Sequence, residues 1–117
     1  MHMSTRAKIY HNPQCSKSRE TLALLREKGC DVEVIEYLKA PPTAAELSAI
    51  LKALAMKAHD LVRTKEDEYK KVKIDWSDEK AAIAALVKHP RLIERPIVVN
   101  GKKAAIGRPP ENILDIL

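Results

Sequence analysis

Cys15 stands in the run His11-Asn12-Pro13-Gln14-Cys15-Ser16-Lys17-Ser18-Arg19, which brings a thiol, an imidazole and a hydroxyl close together in the chain. Asn12 and Pro13 punctuate the chain ahead of the cysteine, and proline has no N–H for a ladder, so residues 11–14 read as a loop. From Ser16 onward the residues favour helix, which puts Cys15 where a loop enters a helix. Unbonded amides and the positive end of the helix dipole favour an anion there, so the thiol ionises more easily, and the thiolate is the nucleophile. Ser18 lies one turn on, so its hydroxyl can point back at the sulfur. His11 precedes the cysteine in the loop, and an imidazolium there would stabilise the thiolate. The bland alternatives are a buried apolar Cys15, a solvated His11 and a Ser18 that merely caps the helix; the polar flanks of Cys15 favour a reactive thiol.

The pattern is Cys-x-x-Ser, so the second thiol of a dithiol motif is missing. Cys30 is the other cysteine, beyond Gly29 at the far end of the same predicted helix. At about 1.5 Å rise per residue the two sulfurs are roughly 20 Å apart, whereas a disulfide needs Cα atoms within about 7 Å. Cys30 therefore reads as structural, and the resolving thiol must come from another molecule.

The elements that position these groups follow from periodicity and punctuation. Residues 7–10 form a short strand. Ser16 to Lys28 form a helix with Ser18, Leu22 and Leu25 on one face and Gly29 as its C′ residue, and the β-branched stretch 32–37 is a second strand. Short connections make this a parallel β-α-β unit. Thr43 and Glu46 have capping-box spacing ahead of Leu47, Ile50, Leu51 and Leu54, an amphipathic helix. The polar stretch 59–73 holds one or two short helices. Ser77 is a candidate cap for a helix whose apolar face is Ile83, Leu86 and Val87 and which Pro90 ends. Ile97-Val98-Val99 and residues 103–106 flank Asn100-Gly101, a hairpin signal with both turn positions at positive φ, and a last helix runs from Pro110 to Leu117. The order β-α-β, helical insertion, β-hairpin, C-terminal α is an α/β, thioredoxin-like arrangement in one domain, 1–117, with residues 1–5 set aside as a disordered lead-in or an expression scar.

Composition narrows the class. The chain has 117 residues, 45% of them hydrophobic and 32% charged, no Phe and one Trp, so it reads as one soluble domain with an aliphatic core. No apolar run reaches the roughly 18 residues of a membrane span, and residues 1–6 have no apolar stretch of a secretory signal, so the expected compartment is the reducing cytoplasm. The net charge of +5 comes mostly from lysines standing beside acids, as in Lys65-Glu66-Asp67-Glu68, a solvated surface rather than a nucleic-acid footprint. No nucleic-acid or membrane partner, no metal site and no bound cofactor is expected.

The run from His11 to Arg19 resembles the signature of the glutaredoxin-coupled arsenate reductase family: His-Asn-Pro, a variable residue, the catalytic Cys, and a Ser-Arg pair three and four on. The resemblance continues through Tyr37–Pro42, Leu61-Val62-Arg63, His89–Val99 and Gly107-Arg108-Pro109, and spans residues 7–117. It implies a thioredoxin-like core with a helical insertion, Cys15 as catalytic residue with His11 and Ser18 beside it, and Arg63, Arg95 and Arg108 as the arginines associated with the oxyanion. It also implies a cis peptide before Pro96. The arginines make independent sense, because guanidinium forks bind tetrahedral oxyanions through paired N–H donors. The sequence ends at Leu117, as in the short members; longer members carry a C-terminal extension.

The implied reaction is arsenate reduction. Cys15 attacks arsenic and expels water, glutathione as co-substrate displaces the adduct, glutaredoxin reduces the mixed disulfide, and arsenite leaves. Two readings compete. A general monothiol oxidoreductase acting on glutathione mixed disulfides needs Cys15 and Ser18 but not three arginines. A non-enzymatic RNA-polymerase-binding regulator of the same superfamily would more often carry Cys-x-x-Cys.

Overall fold

In the computed structural model, residues 5–117 are described; Met1–Ser4 of the set-aside lead-in lie outside them. Thr5 already belongs to the fold, since its carbonyl accepts from the Asp31 amide at 2.8 Å. The chain divides into two compact units, one made of the segment up to Tyr37 with Arg95–Leu117, the other of Leu38–Glu94.

The first unit holds a four-stranded sheet with strands β1 (Arg6–His11), β2 (Asp31–Glu36), β3 (Ile97–Asn100) and β4 (Lys103–Ile106), in the order β2-β1-β3-β4. β1 runs parallel to β2 and antiparallel to β3, and β3 pairs antiparallel with β4. This is the mixed sheet expected from a β-α-β unit and a hairpin. Helix α1 (Ser16–Glu27) joins β1 to β2, and a 3-10 helix, Pro110–Ile116, ends the chain where a last helix was expected. The core is aliphatic: Ala7, Ile9, Leu25, Val98, Ile113 and Ile116 are buried together, with Cys30 and Val32 among the half-buried residues packed on them. Burying each large side chain contributes about 1.5–3 kcal/mol, so β1, between two neighbours, is a firm base for the residues at its end.

Sequence and structure differ here in three ways. β1 continues through His11, whose partner across the parallel pair is Glu36, so His11 is strand and not loop. The buried face of α1 is Ser18, Thr21 and Leu25, with Leu22 only half-buried. The hairpin turn lies one residue later than expected: Asn100 pairs with Lys103, the central residues are Gly101 and Lys102, and Gly101 alone takes positive φ, +62°. Asn100 instead donates through its side chain to the Ile116 carbonyl at 2.6 Å.

α1 ends as Gly29 suggested. With Gly29 at φ +76°, its N–H reaches the Arg26 carbonyl and the Cys30 N–H reaches the Leu25 carbonyl, the paired bonds of a Schellman cap. Cys30 supplies the small hydrophobe that such a cap places against the last buried turn, which explains its position in structural terms.

The second unit is helical: α2 (Ala44–Leu54), α3 (Ala58–Leu61), α4 (Asp67–Lys71) and α5 (Glu79–Lys88), then a 3-10 turn at Pro90–Leu92. Thr43 and Glu46 form the expected capping box on α2, and Leu47, Ile50 and Leu51 are buried while Leu54 is partly so. The polar stretch holds both short helices, α3 and α4. α5 is capped by Asp78, not Ser77, which turns to the Asp75 carboxylate instead. Its buried face is Ala82, Ala85 and Leu86, rotated from the predicted one because small alanines permit close approach. A bridge between Val62 and Ile93 closes the unit. Among the described residues no helix is long and apolar enough to cross a membrane.

Candidate active site

Cys15 is the N-cap residue of α1 and is 8% exposed. The loop ahead of it is braced by its own backbone and by its neighbours. The Cys15 N–H donates to the Asn12 carbonyl at 3.0 Å, the Gln14 N–H to Asn12 Oδ1 at 3.0 Å, and Arg19 donates through Nη1 to the Pro13 carbonyl at 2.8 Å. These bonds hold the loop turned back over the first turn of the helix, leaving Sγ at the helix N-terminus.

The thiol pKa is lowered from its ordinary value. Burial opposes ionisation and is the largest single effect. It is outweighed by the backbone N–H of Ser18, the charge of Arg95, the backbone N–H of Lys17 and the charge of Arg108 acting together. Arg108 Nη2 stands 3.6 Å from Sγ, and its Nε donates to the Arg95 carbonyl at 2.7 Å, which fixes the direction of the guanidinium. Asn112 holds the same loop by donating to the Arg108 carbonyl at 3.0 Å. The peptide before Pro96 is cis, as the resemblance implied, and so is the one before Pro109.

His11 and Ser18 are both buried and lie together, but they serve the sulfur differently from expectation. The Ser18 hydroxyl is 2.6 Å from His11 Nδ1 and accepts from the Asn12 N–H at 3.0 Å. Its oxygen is therefore committed to the loop, and it is the Ser18 amide that meets the sulfur. The His11 environment favours the neutral ring over the imidazolium. Burial holds its pKa below 6.5, against the pull of Glu36 and with the help of Arg26 and Arg19. A neutral ring can accept the Ser18 proton and lock the hydroxyl in place; which nitrogen carries the ring proton follows from that bond.

Arg63 belongs to the helical unit. There its guanidinium pairs with Glu66 at 3.3 Å and donates to the Arg91 carbonyl at 3.2 Å, while its N–H meets the Leu92 carbonyl at 2.7 Å. Cys30 is half-buried and its pKa is raised by burial, so it is an unactivated thiol. Among the described residues no group of three or more His, Cys, Asp or Glu could hold a metal ion.

The amide of Lys17, the Arg19 brace and the contact of Thr21 with Gly107 were not singled out in the sequence. Arg19 was legible only as part of the Cys-x-x-Ser-Arg run; an amide carries no side-chain signal, and Thr21 meets Gly107 only through the tertiary fold.

Residues 10–116 match the ArsC family. The uncharacterised protein YfgD of Escherichia coli K12 is 53% identical over 98% of this chain and 99% of its own. An arsenate reductase of Haemophilus influenzae is 49% identical over 93% of this chain and 97% of its own. The solved structure of an arsenate reductase from Vibrio cholerae superposes with a TM-score of 0.90 at 43% identity, covering 98% of this chain and all of that one. With a family match across nearly the whole length and close relatives of the same span, the chain belongs to the ArsC family, on its thioredoxin-like fold.

Proposed function

We propose that this protein reduces arsenate to arsenite through a covalent adduct on Cys15, with glutathione and glutaredoxin supplying the electrons. One observation carries the reading: the Cys15 sulfur lies at a helix N-terminus, with Arg108 at 3.6 Å and the charge of Arg95 acting on the same atom. Relatives that bear the name arsenate reductase support the same substrate.

The chemistry follows from the site. Arsenate is a tetrahedral oxyanion, and guanidinium groups bind such ions through charge-assisted N–H donors. The two arginines that favour the thiolate would also draw the anion to it. The thiolate attacks arsenic, a bond forms between Sγ and arsenic, and one arsenate hydroxyl takes up a proton and leaves as water. Glutathione thiolate then attacks Sγ. The sulfur–arsenic pair stays with arsenic, which passes from the +5 to the +3 state and leaves as arsenite, and Cys15 remains as a mixed disulfide with glutathione. A glutaredoxin thiolate attacks the glutathione sulfur and releases the Cys15 thiolate. Glutathione is a co-substrate in this cycle, and no resident cofactor takes part. A cycle that spends glutathione belongs in a reducing cytoplasm.

Arsenate-dependent NADPH oxidation, coupled through glutathione, glutaredoxin and glutathione reductase, tests the proposal. The parent should turn over and Cys15→Ser should not. A parent with no arsenate dependence would sink it. The Cys-x-x-Ser pattern also favours a second reading, a monothiol oxidoreductase, which would reduce glutathione mixed disulfides in the same assay without arsenate.

A further inference from the structure

Thr21 is fully buried on the inner face of α1, one turn beyond Ser18. Its hydroxyl donates to the Lys17 carbonyl at 2.7 Å, which satisfies its single proton within the helix. The same oxygen is 3.4 Å from the Gly107 carbonyl, too long for a second full bond, so what joins the two residues is close packing. Gly107 lies against that side chain so tightly that a Cβ on it would collide with Thr21 Oγ1 and lie 3.0 Å from Thr21 Cγ2 and 2.9 Å from the Pro96 ring. On its other side the Gly107 N–H is bonded to the Pro96 carbonyl at 3.0 Å. The next residue is Arg108, whose guanidinium is tied by Nε to the Arg95 carbonyl and reaches Sγ with Nη2. Thus the helix that carries Cys15 at its start and the loop that carries Arg108 meet at a buried point below the sulfur, Thr21 against Gly107.

We propose that Thr21 is a positioning residue: its side chain is the seat on which Gly107 registers the Arg108 loop against α1, and this contact sets the Arg108–Sγ separation. The residue touches neither the sulfur nor an anion, and it acts through Arg108 alone. A side chain smaller than threonine lets the loop settle inward and turns the guanidinium off the sulfur. A side chain on Gly107 pushes the loop outward with the same consequence.

The inference rests on Cys15 being the reacting atom of the proposed function, but not on the identity of the oxyanion. The experiment reads alkylation of Cys15 by iodoacetamide against pH, with thermal unfolding of each variant as a check on folding. Thr21→Ala should lower the rate at pH 6 about threefold, since half a unit in thiol pKa changes the thiolate fraction by roughly that factor. Gly107→Ala should do the same, and Thr21→Ser, which keeps Oγ1, should recover most of the parent rate. The deciding measurement is the double variant. In an Arg108→Ala background, Thr21→Ala should change the rate no further. An equal loss with and without Arg108, or no loss from Thr21→Ala in a folded protein, overturns the inference. A parent whose thiol titrates at the value of a free cysteine would instead overturn the reading of the site, so the two failures are distinct.

Discussion

At the scale of the residue, the site separates charge from geometry. Against burial, the Ser18 amide, the charge of Arg95, the Lys17 amide and the charge of Arg108 favour the Cys15 thiolate, whereas the His11 ring and the Ser18 hydroxyl supply shape. If the arginines also take an oxyanion, sulfate, phosphate or arsenate should protect Cys15 from alkylation, and chloride at matched ionic strength should not, because it only screens. Arg108→Lys and Arg95→Lys keep a cation but lose the planar fork, so protection should weaken by about ten- to a hundredfold, the worth of one charge-assisted hydrogen bond of roughly 1.5–3 kcal/mol. Undiminished protection in both would place the anion elsewhere; Arg63→Lys, measured alongside, reads the part of the third arginine. His11 carries a prediction of the opposite kind. Its folded pKa lies below 6.5, so the fold prefers the neutral ring, and the unfolded chain binds the proton more readily. That contribution to stability is fully present above 6.5 and is lost as pH falls through the lower folded value. His11→Gln keeps an amide for the Ser18 contact and removes the titration. Urea midpoints should therefore fall less between pH 7.5 and pH 5 in His11→Gln than in the parent, and parallel losses would show that the acid response arises elsewhere.

At the scale of the element, both long helices end the same way but with different residues. α1 closes on Gly29, while α2 closes on Ala55 at φ +56°, with the Ala55 N–H on the Lys52 carbonyl and the Met56 N–H on the Leu51 carbonyl. A left-handed conformation costs an L-residue about 1–2 kcal/mol that glycine does not incur, and glycine returns roughly half of that in unfolded-state entropy. Ala55→Gly should therefore raise the urea midpoint by an amount equivalent to about 0.5–1 kcal/mol with an unchanged slope; a lowered midpoint would show that the Ala55 methyl is needed for packing. The same comparison shows what a sequence can and cannot disclose. The capping box of α2, Gly29 and the hairpin were legible because each is a local signal read within a few residues. The hairpin turn lies one residue beyond the Asn100-Gly101 signal, with Asn100 held in its strand by a distant carbonyl, that of Ile116. The face of α5 departs from its apolar pattern because Ala82 and Ala85 are buried by tertiary fit, whereas hydrophobicity alone ranks them below Ile83 and Val87. At the site, Cys15 and its helix terminus were legible from type and spacing. The commitment of Ser18 to His11 and Asn12 was not, since it depends on β1 running one residue further than its pattern suggests.

At the scale of the whole molecule, the disposition of sulfur determines what the protein can do alone. It has two cysteines, both free. One begins α1 and the other lies just beyond its C-cap, so a 12-residue helix separates them. Such a helix is about 18 Å long, far beyond the roughly 7 Å between Cα atoms that a disulfide tolerates. Bringing them together would require unwinding α1, and with it the fully buried Leu25 and the Schellman cap that seats Cys30. An internal disulfide is therefore excluded while α1 stays folded, and a disulfide at Cys15 needs a thiol from outside the chain. In the function proposed above that partner is glutathione. Incubation of the protein with oxidised glutathione near neutral pH, read by intact mass, should add a single glutathione, and glutaredoxin should remove it. Cys30→Ala should take up the same amount, because Cys30 is held as the protonated thiol by burial, and Cys15→Ser should take up none. A parent that instead loses two hydrogens and gains no glutathione would have closed an internal disulfide. That result would mean α1 unwinds in the oxidised state, and the resolving thiol would then be Cys30.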